Sequence, residues 1–189
     1  NTRDEGKLFG GLLPLFGGKP GYIVDDATRF MMMYGFDPDS ATTLTSASII
    51  DPSYLPVDAP VAGYNDKTQL ITKLLFEANS QNLLSTLKTQ QSNLWQYRFD
   101  WAQEAYPWNE VYGAAHAFDL AFMFGNFGPS VVGNVIGGNA NKAGRLALSN
   151  AMMGSIGAFM RTGDPGTAAL GTRWAPWPSK LLLDATPGA

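Results

Sequence analysis

His116 is the only histidine in the 189-residue chain, and it stands in "YGAAHAFDLAFMFGNFG", with Asp119 three positions further on. Imidazole changes charge near neutral pH and can serve as a general base. A histidine crowded by apolar and aromatic residues can equally be a core residue, so its neighbours alone leave both readings open. A catalytic histidine needs a carboxylate on one ring nitrogen, to fix its tautomer, and a nucleophile on the other. Asp119 is the nearest acid in sequence. If the stretch is helical, however, Asp119 lies one turn along from the ring and is expected to anchor the loop through backbone or arginine contacts. A second carboxylate is Glu5, in "NTRDEGKLFGG", which on local grounds occupies a polar turn ahead of an apolar stretch.

Other chemistries find less support. With one histidine and no cysteine, only an all-carboxylate metal site could form, and nothing in the spacing selects one, so no metal is expected. "FGGKPG" has Pro20 where a phosphate-binding loop needs Ser or Thr, and "VVGNVIGGNANKAG" contains no G-x-G-x-x-G, so no cofactor is expected either. The 16 acids allow many glycosidase-type pairs without marking any of them.

The elements that must position His116 are legible from periodicity. "DDATRFMMMYGF" reads as a short helix with acids in its first turn and Gly35 near its end, and its methionines read as core. From Ser40 to Pro60 no period is visible, which implies a connecting segment. Leu70, Ile71, Leu74, Leu75 and Ala78 recur at helical spacing behind Asp66, a candidate cap. Leu83, Leu84 and Leu87 resume the stripe, as one long helix or two abutting ones. "NLWQYRFD" then alternates Trp95, Tyr97 and Phe99 with polar residues, the pattern of a strand. His116 follows that strand after a loop, where functional groups of open α/β sheets gather. Leu148, Met152, Ile156, Phe159 and Met160 form a second helical stripe, expected to pack on a sheet and to stop at Gly163 and Pro165. "SKLLLDATPG" reads as a last short strand.

Composition narrows the class of protein. A hydrophobic share of 45% and an aromatic share of 12% fit one globular unit. The net charge of −3, with basic residues scattered, argues against a nucleic-acid partner. No apolar run approaches the roughly 20 residues of a membrane span. The absence of cysteine rules out disulfides and leaves the compartment open.

Together "NTRDEG", "WQYRFDW", "PWNEVYGAAHAFDLAFMFGNFG", "FMRTGDP" and "WAPWP" resemble, in that order, the C-terminal part of type-B carboxylesterases, the cholinesterase-like branch of the α/β-hydrolases. The resemblance runs over almost the whole chain. It implies an α/β fold, with residues 1–189 as the C-terminal portion of a single α/β-hydrolase domain: the last strands of its central sheet with flanking helices and long loops. It also implies that Glu5 is the triad acid, that His116 is the general base, and that Asp119 is a supporting acid of the histidine loop. The nucleophile is not in view. No G-x-S-x-G occurs, and "FGPSVVG" and "MGSIGAF" fail the spacing and follow His116, whereas this fold orders its triad Ser, acid, His. The expectation is therefore a fragment, inactive alone, of a serine esterase acting on small-molecule esters. Its partner would be the missing N-terminal part, which carries the serine and the oxyanion hole. The alternative is a catalytically inactive cholinesterase-like adhesion or scaffold module, because a fold does not fix a function.

Overall fold

The structure is a computed structural model and describes residues 1–185. Strand β1 (Gln96–Phe99) pairs in parallel with β2 (Lys180–Leu183), in a register that sets Gln96 opposite Lys180 and Phe99 opposite Leu183. On the other edge of β1 the first residues of the chain add a further parallel segment. Thr2 bridges Phe99, Arg3 donates its N–H to the Phe99 carbonyl at 2.8 Å, and Phe99 donates to the Asn1 carbonyl at 3.0 Å. Parallel pairing requires long crossovers, and the helices supply them. The result is an α/β arrangement: a short parallel sheet flanked by helices and long loops. The final strand lies within "SKLLLDATPG" as expected, whereas residues 186–188 of that expectation lie outside the described residues.

Among the described residues, seven α-helices surround the strands: α1 (Asp26–Tyr34), α2 (Tyr64–Ile71), α3 (Ala78–Lys88), α4 (Trp108–Val111), α5 (Phe118–Met123), α6 (Val131–Ile136) and α7 (Lys142–Thr162). Helix α1 starts where its acids indicate, because the Asp25 side chain accepts from Thr28 N–H at 2.7 Å. Of its methionines only Met33 is fully in the core, while Met31 points to solvent. Between α2 and α3 the helix continues without a break through a widened π turn, Thr72–Glu77, so the long-helix reading holds. Its cap differs from expectation. The helix begins two residues before Asp66, at Tyr64, with Gly63 as the capping residue. Gly63 packs so closely on Ala59 and Val57 that a side chain there would strike backbone, and a glycine held by packing carries no capping signature in sequence.

The core is aromatic. Phe99, Trp101, Trp108, Tyr112, Phe118 and Phe122 are fully buried. Phe122 meets Phe99 and Trp101 with ring centres 4.9 and 5.0 Å apart, distances at which tilted aromatic pairs attract. Helix α7 packs on α5 rather than chiefly on the sheet: Leu148 and Met152 are buried, and Ser149 Oγ donates to the Phe122 carbonyl at 2.8 Å. The rest of its expected stripe ends at the surface, with Phe159 and Met160 exposed. On the long helix Leu70, Leu74, Leu75 and Leu83 are exposed as well, while Ile71 and, at its start, Tyr64 are in the core. Periodicity predicted both helices, and the packing expected of the second stripe fails at Phe159 and Met160.

"WAPWP" secures the start of β1. Trp174 Nε1 donates to the Gln96 carbonyl at 3.1 Å, and Trp177 N–H donates to the Leu94 carbonyl at 2.7 Å. Just past β1, Glu104 is buried, and among the described residues neither of its carboxylate oxygens has a hydrogen-bond partner. Burial pushes its pKa well above the usual carboxylate range, against a weaker opposing pull from the Lys7 ammonium. The folded state therefore holds a proton that the unfolded chain releases near pH 4.5, and stability falls as pH rises from there through the raised pKa. Glu104→Gln should flatten that fall and raise stability at neutral pH by about 1–3 kcal/mol. Urea unfolding from pH 4 to 8 measures this. Parallel stability profiles for the two proteins would show that Glu104 is satisfied.

Candidate active site

The first six residues place a carboxylate where the sheet ends. After Thr2 the chain leaves β1 and tightens into a single turn, Glu5–Lys7, packed against α2. Gly6 explains how closely it packs: a Cβ there would overlap the Thr68 carbonyl oxygen, and would lie 2.8 Å from Ile71 Cβ. Its N–H donates to Thr72 Oγ1 at 2.9 Å, and Thr72 in turn donates to the Thr68 carbonyl. Beyond the turn, the Lys7 carbonyl accepts from the hydroxyls of Tyr22 and Tyr64. Glu5 is thus held between a strand segment and a helix, and its side chain is only 4% exposed.

His116 lies on the chain that leaves β1. The chain crosses from the strand through α4 and turns at Gly113, which has φ +53°. The imidazole Nδ1 lies 2.6 Å from Glu5 Oε2, and the second oxygen, Oε1, accepts the Thr2 N–H at 2.7 Å. A carboxylate partner sets Nδ1 as the protonated nitrogen and leaves Nε2 as an acceptor. The histidine side chain is 42% exposed, against 4% for its partner, so the accessible part of the ring is the part Glu5 does not hold. Phe9 and Phe76 flank it, with ring centres 5.3 and 5.2 Å away. Phe76 comes from the π turn of the long helix, an irregularity that often occurs at functional positions.

The residue after the histidine carries strain. Ala117 has φ +67°, the left-handed region, which costs a residue with a Cβ about 1–2 kcal/mol. It joins a ring held by Glu5 to the start of α5. Asp119 sits in that first turn, buried, and its partner is neither backbone nor arginine: Tyr97 on β1 donates its hydroxyl to Asp119 Oδ2 at 2.7 Å. The strand alternation turns Tyr97 towards α5, which a local reading of the loop cannot supply. Burial and the adjacent carboxylate hold the Tyr97 phenol far above its usual pKa, so it stays a neutral donor. The structure thus brings Glu5 and His116 together and sets Asp119 apart on Tyr97.

Among the described residues no group of three His, Cys, Asp or Glu side chains could hold a metal ion, and no helix is long and apolar enough to cross a membrane. A parallel sheet with an acid and a histidine at the carboxyl ends of neighbouring segments is the arrangement of the α/β-hydrolases. A solved structure of a PNB esterase matches with a TM-score of 0.59 at 22% identity, over 97% of this chain and 33% of that one. The chain therefore spans about a third of the length of the esterase whose fold it shares. The model of the carboxylesterase family matches residues 40–183. This chain belongs to the carboxylesterase family. His116 and Asp119 fall inside the matched stretch and Glu5 precedes it. No curated protein matches the chain.

If the close approach of Gly6 to α2 positions Glu5, Gly6→Ala should lower stability by about 1–3 kcal/mol through overpacking. Gly11, where a Cβ would meet nothing within 4 Å, is the control. Superimposable urea unfolding curves for the two alanine variants would remove this role from Gly6.

Proposed function

We propose that the chain is the C-terminal portion of a serine carboxylesterase, in which Glu5 is the triad acid and His116 the general base. The serine and the oxyanion-hole amides belong to an upstream portion of the same enzyme. The observation that carries this reading is the 2.6 Å contact between Glu5 Oε2 and His116 Nδ1, made by a buried carboxylate with a ring that keeps an accessible side. A core histidine needs a partner but no open edge.

In the intact enzyme Glu5 accepts the Nδ1 hydrogen and stabilises the imidazolium, while Nε2 takes the serine proton as the hydroxyl attacks the ester carbonyl carbon. The same proton passes to the leaving alkoxide, and a water activated at Nε2 then releases the acyl group. Backbone amides upstream stabilise the oxyanion, and removing one such donor typically lowers turnover on the order of 10² to 10³. Alone, this chain has a positioned base and no nucleophile in a suitable order, so it is inert towards esters. The exposed Leu70, Leu74, Leu75 and Leu83 are apolar surface that the upstream portion covers when docked. Asp119 supports the histidine loop through Tyr97 and takes no part in proton transfer.

Two measurements test this. Sequencing the coding region upstream of Asn1 should reveal G-x-S-x-G after a strand-like apolar run, and another residue at the serine position would move the protein to the non-catalytic class. In the full-length protein, His116→Ala and Glu5→Gln should each lower kcat for a small carboxylic ester on the order of 10³-fold or more. Asp119→Asn should instead act mainly on thermal stability and keep kcat within about tenfold, because it removes no group from the reacting atoms. A kcat loss for Asp119→Asn as deep as for Glu5→Gln, with the fold intact, would reassign the acid.

A further inference from the structure

Next to the candidate acid stands a second buried carboxylate with a different set of partners. Asp4 is almost fully buried, and its backbone N–H donates to the Ala114 carbonyl at 2.9 Å. Its carboxylate oxygen Oδ2 accepts the N–H of the same residue at 3.0 Å, so Ala114 is gripped through both of its backbone polar groups. Oδ2 also accepts from Arg3 Nη2 at 2.7 Å, and Oδ1 accepts from Gln69 Nε2 on α2 at 3.2 Å. From the loop side, Gly113 turns with φ +53°, and a Cβ there would come within 2.6 Å of Asp4 Oδ2. The carboxylate therefore fills the space against the backbone two residues before His116.

We infer that Asp4 is a positioning residue of the histidine loop: consecutive acids hold the two ends of one unit, Asp4 the backbone at Ala114 and Glu5 the ring at His116. The inference rests on the ester-hydrolase reading above. Its physical ground is leverage. The ring is held at Nδ1 by one hydrogen bond, and between the buried Ala114 and the strained Ala117 the remaining backbone hydrogen bonds are local ones, from Ala115 N–H to the Gly113 carbonyl and from Phe118 N–H to the Ala115 carbonyl. Without the Asp4 carboxylate, the Ala114 N–H is left buried without a partner, and the loop must move to satisfy it. A displacement of about 1 Å at a reacting group can cost on the order of 10²-fold in rate. Asp4 touches no reacting atom, so the loss should fall on kcat and leave substrate binding unchanged.

The test uses the full-length enzyme and a small carboxylic ester, with competent sites counted by an active-site-directed organophosphate. Asp4→Ala should lower kcat per competent site by about 10- to 100-fold with KM within about threefold. Asp4→Asn keeps an acceptor oxygen for the Ala114 N–H and should restore kcat to within about threefold of wild type. A proton NMR signal from the Nδ1–H···Glu5 hydrogen bond, present in wild type and Asp4→Asn, should weaken in Asp4→Ala. A merely structural role would reduce the number of competent sites and leave kcat per site and the NMR signal unchanged, and that result overturns the inference. If Asp4→Ala fails to fold, Gly113→Ala takes its place, since its Cβ presses on the carboxylate from the loop side; unchanged kcat there also overturns it. Glu5→Gln and His116→Ala in the same assay separate the two claims. Their inactivity beside a fully active Asp4→Ala rejects the positioning role alone, whereas their full activity rejects the esterase reading itself.

Discussion

The contact between Glu5 and His116 joins residues 111 positions apart, and everything around it answers the entropy of closing that loop. Bringing the ends of a chain that long together costs about 4 kcal/mol before any residue is fixed in place. One hydrogen bond to a charged group returns about 1.5–3 kcal/mol, so the pair cannot hold itself. The offset comes from packing on both sides. Thr2 and Arg3 join β1, Gly6 lies against α2, the Lys7 carbonyl takes two buried tyrosine hydroxyls, and Ala114 pairs with Asp4. The Glu5–His116 contact is a consequence of where two backbones are fixed.

The same logic explains why D-E-G reads as a motif. Each position meets a different element: Asp4 the histidine loop, Glu5 the ring, Gly6 the helix. A turn of three residues can serve three neighbours only if the side chains have these sizes, because a longer reach at position 6 would expel the turn from α2 and carry Glu5 away with it.

Sequence reading reached some of this and stopped at identifiable points. The alternation around Tyr97 marked β1, and the period of the leucines marked the long helix, because both signals are local. Which carboxylate serves His116 was not local, and only the resemblance to carboxylesterases pointed to Glu5 over Asp119, which is nearer in sequence. The partner of Asp119 stayed hidden for the same reason, since Tyr97 lies 22 residues away across a strand and a loop. The left-handed Ala117 has no signature, as alanine carries no preference for that conformation. Apolar periodicity also says that a face is covered and does not say by what. That is why Phe159 and Met160 read as packed on a sheet and stand at the surface.

The strain at Ala117 bears on how the pair is used. A left-handed alanine persists only where its surroundings over-determine it, and here Glu5 fixes the ring before it and the Phe118 and Phe122 packing fixes α5 after it. Relaxing Ala117 would rotate the peptide that follows His116, and with it the imidazole plane. The geometry that keeps Nδ1 on Glu5 is therefore stabilised by the aromatic core and not by the pair alone. In that arrangement the imidazole is held by a buried carboxylate and a packed backbone although part of it faces outward, a combination that a free surface histidine lacks.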